Sequence, residues 1–526
     1  MRVARETAAN GRAVILGCLS MWVGLGMSLD AVAQPTWHNL EAGEQAVGFR
    51  LLQERDATRV VAGPTDQARP VRIYLWYPAA ASPGIPPMRF GRYAALAEDD
   101  VWPIETIGPL RERMSYSRHV LARSLGPDGF EALGQQPVRA FENAAPLPGP
   151  FPLIVIGQGL NYESPIAFAA LSEYLAGRGF VVATCPLVGT DTPFWKPDVE
   201  DLETQVRDLE FVIARMREFP HVGPDKLGVM GFDVGGMAGL ILTMRNPGVD
   251  AFASLQSGIL FPHPTGLPAA SPDYDPLKLR IPWLHASARG TPPPDVQAAS
   301  LFESAVHSER YHLQIDDLKH EDSTSYALAE GRNAILGFWS AWELGGVKRH
   351  EILSRFASEF FTAFLMDSPE SLAFLSGASQ QAMAGPGPFA IEHRSAAPPP
   401  ITYAQFVDAL LTGDAASAIE RVRGLRGIEP LHILLKDSYL YRLAYSLLYR
   451  WGLSDEALQV SKLNVDLNPS STLAARGLSM SYVDREDYAG AIEVYRRLVE
   501  MNPDDDSARR TLEWLQGQLE RLRNRN

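Results

Sequence analysis

Cysteine is nearly absent from this chain: 2 residues in 526, Cys18 and Cys185. Cys18 belongs to a leader read below as removable. Cys185 then stands alone, and a single thiol cannot close an intramolecular disulfide. It lies in the apolar run Val181–Pro186 and reads as a core residue. No Cys/His spacing suits a metal, so neither a metal nor another cofactor is expected. Basic charge is short as well. With 48 Lys and Arg against 62 Asp and Glu the net charge is -14, and nucleic acid is excluded as a partner because phosphate binding needs a basic footprint. Long apolar runs are missing too. Ala13–Met27 is too short for a comfortable bilayer crossing, so no membrane span is expected once the leader is cleaved.

What is present is an ordinary globular composition, 46% hydrophobic and 21% charged. The length exceeds what one hydrophobic core supports, so at least two domains are expected. Arg2, Arg5 and Arg12 precede the apolar stretch, and Ala31-Val32-Ala33 supplies small residues at a signal-peptidase site. Residues 1–33 therefore read as a signal peptide, and the mature chain as exported, periplasmic or secreted, from Gln34.

Period-two alternation of Val71, Ile73 and Leu75 with Arg72, Tyr74 and Trp76 marks a half-buried strand. Residues 88–149 form a long insertion, a lid or surface decoration. Pro152–Ile156 then opens a strand–helix rhythm that continues through Phe180–Thr184, Lys226–Met230, Val249–Leu255, Ile281–Ala288 and Tyr311–Ile315. Such alternation predicts an α/β domain over 45–380 with a doubly wound, mostly parallel sheet. Residues 381–400, rich in Pro, Gly and Ala, read as a linker. Residues 401–526 read as an all-α helical-repeat domain. Ala457 and Ala491, and Asn468-Pro469 and Asn502-Pro503, each recur at 34 residues, the tetratricopeptide (TPR) period. That module is expected to present a groove to a peptide or protein.

The run Gly231-Phe232-Asp233-Val234-Gly235 follows a strand and opens a helix. It has the form of a nucleophile elbow, G-x-S-x-G, in which glycines flank a residue on a turn too tight for other side chains. Aspartate stands at its centre. With Gly157-Gln158-Gly159 after the preceding core strand and Leu318-Lys319-His320-Glu321-Asp322 after the last one, residues 45–380 resemble α/β-hydrolases. The likeness is to bacterial relatives of dienelactone hydrolase and platelet-activating-factor acetylhydrolase. The resemblance implies a small-molecule substrate or ligand and backbone oxyanion donors near Gln158, Gly159 and Val234. It also implies that His320 is the catalytic histidine, that Asp233 stands in the serine position, and that Gln256 stands in the acid position. Asp295, after the Ile281–Ala288 strand, is a possible replacement acid.

Two members of the implied triad thus depart from the pattern. A serine triad works by moving a hydroxyl proton to an imidazole that a carboxylate orients. Asp233 has no such proton at neutral pH and Gln256 has no charge, so ordinary serine-esterase activity is not expected. Carboxylate nucleophiles suit alkyl carbon instead, as in epoxide hydrolases and haloalkane dehalogenases. An inert site is the competing expectation: with Asp233 within about 3 Å of His320, a stable ion pair would leave nothing to attack. His285 and His312, inside strands, read as structural.

Overall fold

The computed structural model describes residues 40–61, 67–80, 84–97, 100, 116–160, 164–261, 266–290, 300–328, 343–377, 388–398, 400–428 and 430–524. The leader expected at 1–33 lies outside them. Two compact units are present. The first comprises Met1–Tyr274, Trp283–Ala298 and Tyr311–Glu392; the second comprises Asp275–Pro282, Ala299–Arg310 and His393–Asn526.

Ten strands make one sheet among the described residues: β1 (Ala46–Val61), β2 (Gln67–Ala79), β3 (Ala140–Glu142), β4 (Phe151–Gly157), β5 (Val181–Thr184), β6 (Val222–Phe232), β7 (Ala251–Leu255), β8 (Trp283–Ala288), β9 (Arg310–Ile315) and β10 (Phe389–Arg394). Their order is β10-β9-β8-β7-β6-β4-β5-β2-β1-β3. β5, β4, β6, β7 and β8 pair in parallel, and β2 joins antiparallel to both β1 and β5. The first unit carries α1 (Phe90–Ala97), α2 (Tyr116–Gly134), α3 (Ala169–Ala176), α4 (Val199–Met216), α5 (Val234–Arg245), α7 (Glu343–Leu365) and α8 (Pro369–Leu375), while α6 (Leu301–Ser304) belongs to the second. The expected α/β architecture with a mostly parallel sheet is what forms.

Both faces of the sheet are covered, and neighbours on β6 reveal it. A Cβ placed on Gly228 would meet Phe361 of α7, whereas Val229 lies against Gly239 of α5. Successive strand residues point to opposite faces, so α5 and α7 lie on opposite sides. That double burial explains the unbroken apolar run Leu153–Ile156, all buried. From α7, Phe356, Phe360 and Phe361 are fully buried, each contributing roughly 1.5–3 kcal/mol by burial.

The described parts of the 88–149 insertion correct the lid-or-decoration reading. Met88, Phe90, Tyr93, Val138 and Ala140 are core residues, and β3 extends the sheet alongside β1. Trp76 Nε1 donates to the Tyr93 hydroxyl at 2.8 Å, which donates in turn to Glu173 Oε1 at 2.8 Å. Burial and the neighbouring Glu173 carboxylate push the Tyr93 hydroxyl pKa well up, so it stays a donor. Within 381–400, residues Phe389–Arg394 are β10 rather than linker. Ser164 does not cap the helical segment after it; its hydroxyl donates to Asp100 at 2.6 Å.

The second unit carries α9 (Tyr403–Thr412), α10 (Ala415–Ile428), α11 (Asp437–Tyr449), α12 (Ser454–Leu467), α13 (Thr472–Asp484), α14 (Tyr488–Met501) and α15 (Asp506–Arg523). Ala457 on α12 and Ala491 on α14 are both fully buried, and Asn468 and Asn502 follow the last turns of those helices. A further pair becomes visible in three dimensions. Ser471 and Asp505 each cap a helix by accepting from the backbone N–H three residues on, at Ala474 and Ala508, and both alanines are buried.

Candidate active site

β6 ends at Phe232 and α5 begins at Val234, so Asp233 is the single residue that turns the chain. Its φ of 51° and ψ of -121° lie where side-chain-bearing residues are rare. Such strain, about 1–3 kcal/mol, persists only where surroundings dictate it. Here three backbone-level bonds do so. Asp233 N–H donates to Leu255 O at 3.2 Å, Gly236 N–H donates to Asp233 O at 3.0 Å, and Ser257 Oγ donates to the same carbonyl at 2.7 Å. The flanking glycines are required sterically: a Cβ on Gly231 would lie 2.2 Å from Gly235 O, and one on Gly235 2.3 Å from Gly157.

The carboxylate has a definite aim. Leu160 N–H donates to Asp233 Oδ2 at 3.0 Å, and His320 Nε2 lies 3.9 Å from the same oxygen. That second distance is beyond a direct hydrogen bond. The tight pair at about 3 Å that would mark an inert site is therefore not formed. Both side chains reach solvent, His320 at 40% and Asp233 at 23% exposure. The Phe232 ring lies 4.4 Å from the imidazole, tilted by 37°.

The Gly157-Gln158-Gly159 loop, expected to supply oxyanion donors, packs against the elbow. Gln158 is buried, and its Nε2 donates to Thr184 Oγ1 at 2.6 Å while its carbonyl accepts from Gln205 Nε2 at 2.8 Å. Its side chain thus braces the loop from within. Gly159 lets the loop close on the elbow, since a Cβ there would meet Asp233 Cβ at 2.8 Å. The amide that reaches the carboxylate belongs to Leu160, a residue the sequence reading passed over; the signal was the close approach that Gly159 permits. Val234 opens α5 directly after the carboxylate.

Gln256 follows β7 with φ 47°, its N–H donating to Ala286 O at 2.8 Å. Its Nε2 donates to Leu318 O at 3.2 Å, two residues before His320, so the side chain serves the histidine's backbone and not its ring. Asp295 lies outside the described residues. A further carboxylate the sequence reading missed is Asp322. Buried, it accepts from Lys319 N–H at 2.8 Å and from Arg349 Nε of α7 at 2.6 Å, and its carbonyl contacts His350 Nδ1 at 2.9 Å. The His320 loop is anchored from β7 and from α7.

Other titratable groups have structural roles. Trp283 Nε1 donates to Ser254 Oγ at 2.9 Å, and the same hydroxyl pairs with His285 Nδ1 at 2.8 Å. Burial, with a smaller contribution from His312, holds the His285 pKa well below its ordinary value. Burial likewise lowers that of His312, which pairs with Ser287 Oγ at 2.8 Å. Cys185 is buried and its thiol pKa is pushed up by desolvation. Desolvation raises the Asp100 carboxyl to about 6 against the opposing pull of Arg72 and of hydroxyls from Ser164 and Tyr74.

No family model matches the chain, and no curated protein matches it. Among solved structures, a ferulic acid esterase from Streptomyces cinnamoneus is similar at 20% identity, covering 63% of this chain and 94% of that one with a TM-score of 0.45.

Proposed function

We propose that this is an exported α/β-hydrolase-fold protein with TPR-like repeats, whose altered site does not run ordinary serine-esterase chemistry. The observation that carries the reading is the bond from Leu160 N–H to Asp233 Oδ2. In acyl transfer such an amide must receive the oxygen of the substrate carbonyl as it becomes an oxyanion. Here the protein's own carboxylate takes that donor, and its charge opposes a second anion beside it. The site accordingly binds a small molecule without acyl transfer, and the repeats dock a peptide or protein. The test is hydrolysis of p-nitrophenyl acetate. The unaltered chain should match its His320→Gln variant, whereas Asp233→Ser, which restores the hydroxyl and frees the amide, should gain activity. Activity in the unaltered chain well above His320→Gln defeats the proposal.

A second reading is favoured by the 3.9 Å gap between His320 and Asp233. With Oδ2 held by Leu160, Oδ1 can attack an alkyl carbon and displace a halide or open an epoxide, forming an alkyl ester on Asp233. His320 then takes a proton from water as that water attacks Cγ. The oxyanion forms on Oδ2, already facing Leu160 N–H, and its collapse breaks the Cγ–Oδ1 bond and expels the alkoxide, which takes the proton back from His320 and leaves as the alcohol. Intact-protein mass spectrometry decides it: epoxides or haloalkanes should label Asp233, and His320→Gln should make the adduct accumulate. No mass shift with either class removes this reading.

A further inference from the structure

We propose that Gln256 is a positioning residue, whose amide N–H on the Leu318 carbonyl fixes the backbone that carries His320. It rests on the reading of His320 as a member of the working site, and deepens it. Gln256 and Asp317 are both left-handed, at φ 47° and 52°, conformations that non-glycine residues rarely keep without constraint. One closes β7 and the other opens the loop to His320. The Gln256 side chain reaches the residue after Asp317 through a 3.2 Å bond, from Gln256 Nε2 to Leu318 O. The backbone of Gln256 is itself fixed by its N–H on Ala286 O, and the Leu318 side chain is buried. On its far side the loop is tied to α7 through Asp322 and Arg349. The backbone that carries the imidazole is thereby held at two anchors.

This arrangement gives position 256 a role other than that of an acid. A carbonyl oxygen accepts and does not donate, so position 256 needs an N–H donor of glutamine length. Glutamate there would set a carboxylate against that carbonyl and repel it. Gln256 is therefore matched to its partner and is not an acid that has merely lost its charge.

The experiment uses the full chain with Gln256→Met, which keeps length without a donor, and Gln256→Glu, which supplies the triad's charge. Hydrogen–deuterium exchange of residues 317–320 and the His320 Cε1–H resonance, assigned by its loss in His320→Gln, are read together. Loss of one ordinary hydrogen bond predicts roughly fivefold faster exchange in both variants, with a shifted or broadened His320 signal. Exchange unchanged in Gln256→Met overturns the proposal. So does Gln256→Glu behaving as the unaltered chain or exchanging more slowly, since the position would then serve as an acid toward His320. A lowered melting temperature with the His320 resonance unmoved overturns it too, leaving only a general structural role. None of these readouts depends on chemistry at Asp233, so failure of the functional reading would leave them interpretable.

Discussion

His285 makes stability depend on pH in a way that one substitution isolates. Its Nδ1 shares a hydrogen bond with the Ser254 hydroxyl and the ring is buried, so protonating it in the folded chain pays a heavy desolvation cost. Burial depresses its pKa well below 6.5. The unfolded chain, at about 6.5, takes up a proton as the medium is acidified while the folded one does not. The contribution is thus complete above 6.5 and lost below it. From pH 7.5 to 5.5 this amounts to about 1.4 kcal/mol. Asp100 acts oppositely: raised from 3.8 to about 6, it gains a proton in the folded state first, and restores about 0.8 kcal/mol over the same interval. His285→Asn keeps a hydrogen-bond partner for Ser254 and removes the titration. Urea unfolding at both pH values should show the unaltered chain losing about 1.4 kcal/mol more than the variant between them. Equal losses would refute the argument that His285 is folded in its neutral form.

Three further outcomes follow, two from the anchoring of the site and one from the capping of the helical repeats. Gly235→Ala places a Cβ 2.3 Å from Gly157 and should cost about 3 kcal/mol or more by overpacking, read by thermal melting and by loss of any Asp233 adduct. Arg349→Met leaves the buried Asp322 carboxylate without its cation and should cost about 3 kcal/mol; denaturant unfolding and exchange at 319–323 report it. Ser471→Ala removes the cap on α13 and should lower stability by about 1 kcal/mol, checked by helical circular dichroism on melting.

The fold was legible because its signals are local. The apolar run at Leu153–Ile156 announces a strand covered on both sides, and the glycines at 231 and 235 announce a turn that excludes Cβ atoms. The 34-residue recurrence of Ala457 and Ala491 was visible for the same reason. What stayed hidden was long-range and backbone-borne. Leu160 acts through a backbone N–H that every residue but proline possesses, and apolar patterning does not mark which amide faces a carboxylate. Gln256 reaches Leu318 across 62 positions, and Arg349 reaches Asp322 across 27; neither pairing leaves a periodic trace. The insertion was misjudged because its aromatic residues bury through tertiary contacts, Tyr93 with Trp76 and Glu173, that a window along the chain does not contain.

On the proposed reading, an aspartate at the centre of the elbow alters more than the identity of the attacking atom. Carboxylate oxygens extend one bond beyond the place of a serine hydroxyl, and that bond is enough for Oδ2 to meet Leu160 N–H at 3.0 Å. On that reading, the amide that would receive charge from a substrate is taken up by the protein's own Oδ2. Any covalent chemistry that starts at Oδ1 would have its second step supported by that amide, whereas any that starts with an acyl carbon must first displace the carboxylate from it. The same contact therefore disfavours esters and favours alkyl electrophiles. Asp233→Asn separates charge from shape: it retains an oxygen for Leu160 but has no nucleophilic carboxylate, so alkylation should vanish while small-molecule binding persists. Binding and labelling lost together would show that the charge, and not the shape of the elbow, is what the ligand recognises.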